Sequence, residues 1–304
     1  MPAHVPVLGD EAVRLLIGEP RGTYVDATLG GGGHAALILA ALGGEDSRVI
    51  GIDCDPAAVA FSSEHPPSPA PRFTAARGRF STLEETLRSL GVAQVDGILA
   101  DLGLSSDQLD DPRRGLSFAV EGALDMRLDP SRLKTADGLI RSLSEPALAR
   151  LLSEYGELPR AKTAARVMRR AALAERPLTA QGLRAALAPL YPGPSRPRRL
   201  AQAFQALRIA VNDELGELAA LLDAAARLVR PGGKLVVIAY HSLEDRLVKH
   251  AFSPPRPSDP WIEAAVPLWE PITKRPLRAS EEEVARNPRA QSALLRAARR
   301  RGED

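Results

Sequence analysis

Apolar residues along this chain keep two different rhythms. Over roughly the first hundred residues, short runs rich in β-branched side chains alternate with stretches of helical spacing. Residues 24–27, 49–52, 73–75 and 96–100 read as strands, and helices begin near Asp10, Gly33, Pro56 and Thr82. From about Ser105 to Arg208 the strand rhythm stops. The i, i+3, i+4 recurrence there predicts helices over 145–155, 161–174, 179–190 and 200–212, separated by proline-rich joints such as 191–197. A helix over 215–229, the turn Arg230-Pro-Gly-Gly233 and the apolar run 234–240 then restore the first rhythm. Strands alternating with helices predict an α/β fold, a parallel sheet covered on both faces, built from residues 1–104 and 209–304. Residues 105–208 form an inserted all-helical domain in this reading, and no internal repeat is present.

Where the first predicted strand ends, the chain reads Asp26-Ala-Thr-Leu-Gly-Gly-Gly-Gly-His34 and then starts a helix. Glycine lets the backbone turn tightly and approach a ligand, and the helix start points N–H groups at it. The spacing Gly31-x-Gly33-x-x-Ala36 also satisfies the dinucleotide fingerprint, so the glycines alone leave NAD, another nucleoside and a plain surface turn open. The flanking acids narrow the choice. Asp26 stands where a dinucleotide site needs a small residue beside a pyrophosphate, and a carboxylate there suits a cation. Asp53, twenty residues after Gly33, ends the second strand at the spacing that takes ribose hydroxyls, whereas Asp55 before Pro56 reads as a helix cap. A nucleoside with positive charge and no phosphate is S-adenosylmethionine.

Composition removes several classes. No apolar run is long enough to span a membrane and no export signal is read, so a cytoplasmic protein without a membrane partner is expected. The single cysteine, Cys54, excludes an intrachain disulfide and a cysteine zinc cluster, and the five histidines show no ligand spacing, so no metal is expected. Net charge is only +2, but it is segregated. Residues 156–210 hold eleven Arg or Lys against two Glu, and 271–301 hold nine against three. Two basic stretches beside a nucleoside site point to a polyanionic partner, with Arg166, Arg169 and Arg170 as one gripping face.

Other strand ends carry chemistry too. Asp101 closes the fourth strand ahead of Gly103, Ser105 and Ser106, where an acceptor amine would be held. His241 follows the fifth strand and reads either as a proton acceptor or as a helix cap. Phe80, just past the third, reads either as a stacking surface for a base or as core.

Gly32-Gly33-His34, Asp53-x-Asp55-Pro56, Asp101-Leu-Gly-x-Ser-Ser-x-Gln108-Leu-Asp-Asp, Arg114-Gly-x-Ser-Phe118, Leu124-Asp-Met-Arg-x-Asp-Pro130, His241-Ser-Leu-Glu-Asp-Arg246 and Asn287-Pro-Arg289 together resemble the bacterial ribosomal RNA small subunit methyltransferase H family. The resemblance spans nearly the whole chain. It implies a Rossmann-like S-adenosylmethionine-dependent methyltransferase sheet with an inserted helical domain that helps recognise substrate. It also implies methyl transfer to the exocyclic N4 of a P-site cytidine in 16S rRNA, with 16S rRNA or the 30S subunit as partner. Cofactor contacts carried over from the family fall on Gly32, Gly33, His34, Asp53, Phe80, Asp101 and Gln108. Asp101, its neighbouring carbonyls or Ser105 are the candidate acceptors to hold the amine, no strong base is needed before attack, and His241 is a candidate to take the proton. Three positions depart: the run of four glycines, Tyr240 where Phe is usual, and Gln291 in place of a common Arg.

Two rival classes share features with this reading. A non-catalytic RNA-binding assembly factor would keep the basic stretches without the complete 101–111 motif, and an NAD-dependent oxidoreductase would need a second dinucleotide half that is not read here. The oligomeric state is left open, a homodimer included.

Overall fold

The computed structural model describes residues 6–117, 121–253 and 267–302, and for Ser106 and Asp107 the backbone only. His4, in the lead-in to the first helix, and Phe118, in the Arg114 motif, lie outside the described residues. The chain forms two compact units, one made of Met1–Gly103 with Gly216–Asp304, the other of Leu104–Leu215.

The first unit begins with α1 (Gly9–Leu16) and then alternates: β1 (Thr23–Asp26), α2 (Gly33–Ala41), β2 (Arg48–Asp53), α3 (Pro56–Glu64), β3 (Phe73–Arg77), α4 (Leu83–Ser89) and β4 (Val95–Asp101). The second unit supplies α5 (Ser106–Asp110), α6 (Ala136–Ser142), α7 (Glu145–Gly156), α8 (Ala161–Ala174), α9 (Ala180–Leu187) and α10 (Arg196–Asn212). After α11 (Glu214–Leu228) come β5 (Val229–Ala239), α12 (Ser242–Phe252), β6 (Trp269–Pro271), α13 (Glu281–Arg286) and β7 (Leu294–Arg300).

The seven strands form one sheet in the order β3-β2-β1-β4-β5-β7-β6. β1 to β5 pair in parallel, while β7 runs antiparallel to β5 and to β6. Alternation along each strand sends Val25, Ile50, Ile98 and Val237 to the face covered by α4, α11 and α12. It sends Tyr24, Val49, Leu99, Val236 and Ile238 to the face covered by α1 and α2. The strand order reverses between β1 and β4, and a parallel sheet binds ligands beyond the carboxyl ends of its strands at such a point.

Two strands go beyond the five expected from sequence. β7 is Leu-Leu-Arg-Ala-Ala-Arg-Arg, a composition of good helix formers, and only its place inside the sheet, with Leu295, Arg296, Ala297 and Ala298 buried, makes it a strand. The expected turn Arg230-Pro-Gly-Gly233 is instead a bulge within β5, where pairing jumps from Val95↔Val229 to Gly97↔Lys234.

Within the second unit, Leu148, Leu152, Ala164, Met168, Leu183, Ala203 and Leu207 pack into one core. The helix expected from 200 starts earlier, at Arg196, because Pro197 is tolerated in a first turn where its missing N–H has no partner to lose. The Leu124–Asp129 segment is pinned from inside: Asn212 Oδ1 accepts the Leu128 amide at 2.8 Å and its Nδ2 donates to the Met126 carbonyl at 2.8 Å. Arg127 grips Asp125 through two bonds of 2.8 and 2.7 Å. That motif therefore does architectural work in its own unit.

Candidate active site

Register places the chemistry. In the parallel ladder Asp26 stands across from Gly51 on one side and Leu99 on the other, so Asp53 and Asp101 lie two residues further along their strands. Offsets of two preserve the face, so all three carboxylates project to the α1/α2 side of the sheet. Asp101 pairs with Ile238, which puts Tyr240, again two residues on, in the same row. With strands about 4.8 Å apart, Asp53 and Asp101 flank Asp26 at roughly 10 Å from each other.

The loop above this row is shaped by two of its four glycines. Gly30 and Gly32 have φ of +48° and +78°, a region closed to most L side chains, whereas Gly31 and Gly33 have ordinary backbone. Gly32 caps α2 without a side-chain hydrogen bond of its own. Asp53 ties the loop to the sheet: its Oδ2 accepts the Gly30 amide at 2.8 Å and its Oδ1 the Asp55 amide at 2.9 Å. Burial pushes the Asp53 carboxyl up to about 6 against the pull of these two amides, with Asp55 and Asp26 adding repulsion. Asp55 is the N-cap of α3, accepting from Ala57 at 3.0 Å.

Asp26 is fully buried beneath the loop. Its Oδ1 accepts the Thr28 amide at 3.1 Å, while Oδ2 meets no donor in hydrogen-bonding geometry, the nearby Ala35 amide serving only to steady its charge. Burial raises its pKa above the usual carboxylate range, and His34 pulls it back. His34 Nε2 lies 3.1 Å from the Val7 carbonyl and must donate to it, which turns Nδ1 toward Asp101 Oδ2 at 3.9 Å. Asp101 itself is held from three sides. Its amide donates to Thr28 Oγ1 at 2.7 Å, and its Oδ1 accepts the Tyr240 hydroxyl at 2.7 Å and, more loosely, the Gly103 amide at 3.4 Å. Burial, then the charge of Asp101, raises the Tyr240 pKa far above its ordinary value, so the phenol keeps its proton.

Of the residues expected from sequence, the structure brings Gly32, Gly33, His34, Asp53 and Asp101 together at these strand ends. Phe80 follows the β3 turn, where the Gly78 amide donates to the Asp53 carbonyl at 3.0 Å, and its ring packs half-buried against the core. Ser105 and Gln108 belong to the second unit and cap each other at the start of α5: Ser105 Oγ accepts the Gln108 amide, and Gln108 Oε1 the Ser105 amide, both at 3.1 Å. His241 is the N-cap of α12, its Nδ1 accepting the Glu244 amide at 3.4 Å while Glu244 Oε2 accepts the His241 amide at 3.2 Å. Its Nε2 lies 3.2 Å from Glu244 Oε1 but off the line of a hydrogen bond. Thr28 and Tyr240 are the contributors that sequence reasoning missed as site residues. The available signal was Tyr240 standing directly past the last residue of an apolar strand.

The basic stretches need correction. Arg169 is half-buried and bonds the Leu143 carbonyl, so it braces the second unit, while Lys162, Arg166 and Arg170 are exposed on α8. In the tail, Arg296 is buried and paired with Asp245 at 2.7 and 3.0 Å, and Arg299 pairs with Glu270. Two of its nine cations are thus neutralised from within a strand.

Residues 1–301 match the model of the MraW methylase family. The chain belongs to that family. Ribosomal RNA small subunit methyltransferase H of Sorangium cellulosum (strain So ce56) is 50% identical over 302 residues, covering 98% of this chain and 91% of the relative. The proteins of the same name from Anaeromyxobacter sp. (strain K) and Thermomicrobium roseum are 44% and 45% identical over 304 and 318 residues. They cover 97% and 99% of this chain and 96% and 94% of themselves. With a match over residues 1–301 to MraW methylases, the doubly covered sheet is a Rossmann-like methyltransferase sheet, and the row Asp53-Asp26-Asp101-Tyr240 stands at the carboxyl ends of its parallel strands. Among the described residues no helix is long and apolar enough to cross a membrane.

Proposed function

We infer that this MraW-family chain transfers a methyl group from S-adenosylmethionine to the exocyclic N4 of a cytidine in 16S rRNA, presented as the RNA or within the 30S subunit. The observation that carries this is the strand-end row itself, read in a chain whose relatives, matched over 91% and 96% of their length, are named ribosomal RNA small subunit methyltransferase H. The residues suit the donor. Asp53 offers a carboxylate at ribose spacing, the Gly30–Gly33 turn leaves the α2 start without a side-chain cap, and Asp26 keeps an unpartnered buried oxygen that favours a positive centre nearby.

S-adenosylmethionine supplies an electrophilic methyl group on a sulfonium. What remains for the protein is alignment, because the lone pair of cytosine N4 is delocalised into its ring. Holding donor and acceptor in line at near-attack distance supplies roughly 7–11 kcal/mol of the barrier. Asp101 accepts a hydrogen bond from the amine, which draws the nitrogen toward tetrahedral geometry and frees its lone pair. The methylated amine is a strong acid and sheds its proton without a dedicated base. His241, already spent as a cap, is the less fitting acceptor for it than Asp101 or water.

Purified chain incubated with labelled S-adenosylmethionine and 30S particles should place one methyl on one cytidine, read by mass spectrometry of nuclease digests. Binding of the particles without label transfer would favour the assembly-factor reading instead.

A further inference from the structure

Four arginines gather at one end of the helical unit, where α8 and α10 begin. Arg160 donates from Nη1 to the Leu190 carbonyl at 3.2 Å, and Arg196 donates from Nε to the Tyr191 carbonyl, also at 3.2 Å. Those acceptors belong to consecutive residues, so two like charges are held on neighbouring peptides. Burial raises the pKa of the Tyr191 phenol while Arg160 and Arg199 both pull it down, which brings the Arg199 charge to the same spot. Arg198 is exposed in the first turn of α10. The Tyr191 hydroxyl donates to the Pro159 carbonyl at 2.9 Å and ties the turn that opens α10 to the start of α8.

The cluster holds no acid. Arg114, Arg127, Arg141, Arg166 and Arg208 of the same unit each pair with a carboxylate. Among the described residues Arg160, Arg196, Arg198 and Arg199 pair with none, and the bonds described for them go to the two carbonyls and, from Arg199, to Gln202 Oε1 at 3.0 Å. The first turns of α8 and α10 carry no acidic residue either. A neutral acceptor fixes a guanidinium without cancelling its charge, and a single bond uses only part of its five-donor fork. Like charges held side by side repel until an anion lies between them. Arg160 adds backbone strain, its φ of +60° lying in the left-handed region that a long side chain rarely adopts. We propose that Arg160, Arg196, Arg198 and Arg199 form a phosphate clamp for the backbone of the RNA substrate, separate from the exposed cations along α8. The choice of polyanion rests on the rRNA methyltransferase reading given above. A guanidinium takes two phosphate oxygens at once, and contacts of this kind position a strand without reading its bases. Pro192, Pro194 and Pro197 stiffen the turn that presents the clamp, which lowers the cost of ordering it on binding.

The test measures binding of 30S particles and of protein-free 16S rRNA over a series of salt concentrations and needs no turnover. Arg160→Gln with Arg196→Gln and Arg198→Gln should weaken both complexes about tenfold or more at physiological salt and lower the slope of log K against log salt by about two to three. Affinity for S-adenosylmethionine and the melting temperature should stay unchanged. Arg160→Lys with Arg196→Lys and Arg198→Lys keeps the charge and should retain the slope, which guards against a folding defect in the first variant. Arg14→Gln with Arg21→Gln and Arg48→Gln, three exposed positions of the other unit, removes equal charge and should leave the slope as it is. An unchanged slope in the first variant, or an equal drop in that control, would overturn the proposal. So would a loss confined to 30S particles, which would mark the cluster as a dock for an acidic protein surface. A wild-type chain whose rRNA binding depends on the cluster, yet which transfers no methyl, would reject the methyltransferase reading and leave the clamp standing.

Discussion

Asp26 and Asp53 sit one strand apart, and the difference in what they can do follows from the donors each one meets. Asp53 has two amides on its oxygens and titrates near 6, so its carboxylate form dominates only above that pH. A ribose held there as proposed would donate its hydroxyls to the ionised form, so that binding would expel a proton below about pH 6. Calorimetric affinity for S-adenosylmethionine should rise as pH climbs through about 6 and level off above it, and Asp53→Asn should bind weakly with a flat profile. Asp26 lacks a partner for one oxygen, and its raised pKa means the folded state binds the proton more tightly than the unfolded chain does. Its charged form is a cost to stability that grows as pH rises past the usual carboxylate range. Asp26→Asn should accordingly melt higher than the parent at pH 8, with the gap closing in acid, while losing affinity for the sulfonium, as thermal melts and calorimetry on the same samples will show. Strand-end acids were legible in the sequence because each closes an apolar run. The bond between Tyr240 and Asp101 was not, since it joins positions 139 residues apart and depends on β5 lying beside β4.

The strength of a single element is clearest at α12 and β7. His241 and Glu244 cap α12 reciprocally, an exchange worth about 1 kcal/mol. Asn at this position also caps well, so His241→Asn should keep both the melting temperature and the rate of methyl transfer. A large loss of rate with unchanged stability would return His241 to the chemistry. One turn further on, Asp245 reaches across to Arg296 of β7 through two bonds, both side chains largely buried. Asp245→Ala strands a guanidinium and should cost about 3 kcal/mol in denaturant titrations, whereas Asp245→Leu with Arg296→Met should recover most of it. β1 to β5 could be read from their β-branched runs. β7 could not, because Leu, Ala and Arg favour helix wherever the surrounding sheet does not decide.

For the molecule as a whole, the location of its charge decides which cations are open to a polyanion. The exposed cations of α8, Lys162, Arg166 and Arg170, lie in the unit whose core is all helical, and only Arg166 of the three carries a described ion pair, to Glu145 at 3.3 Å. Neutralising them should weaken 30S or rRNA binding and flatten its dependence on log salt by up to about three, leaving S-adenosylmethionine affinity unchanged in calorimetry. Arg169 should be spared, since its bond to the Leu143 carbonyl holds the fold.

The placement of β5 beside β4 sets a timetable for biosynthesis. β4 is finished before the helical insertion starts, yet its pairing edge waits for β5, which emerges only after the insertion and α11 have been made. At about 5–20 residues per second, that edge stays bare for roughly ten seconds on each translating ribosome. Chaperone demand for this protein should therefore peak midway through its translation, and slowing elongation within the insertion should lower the yield of folded chain.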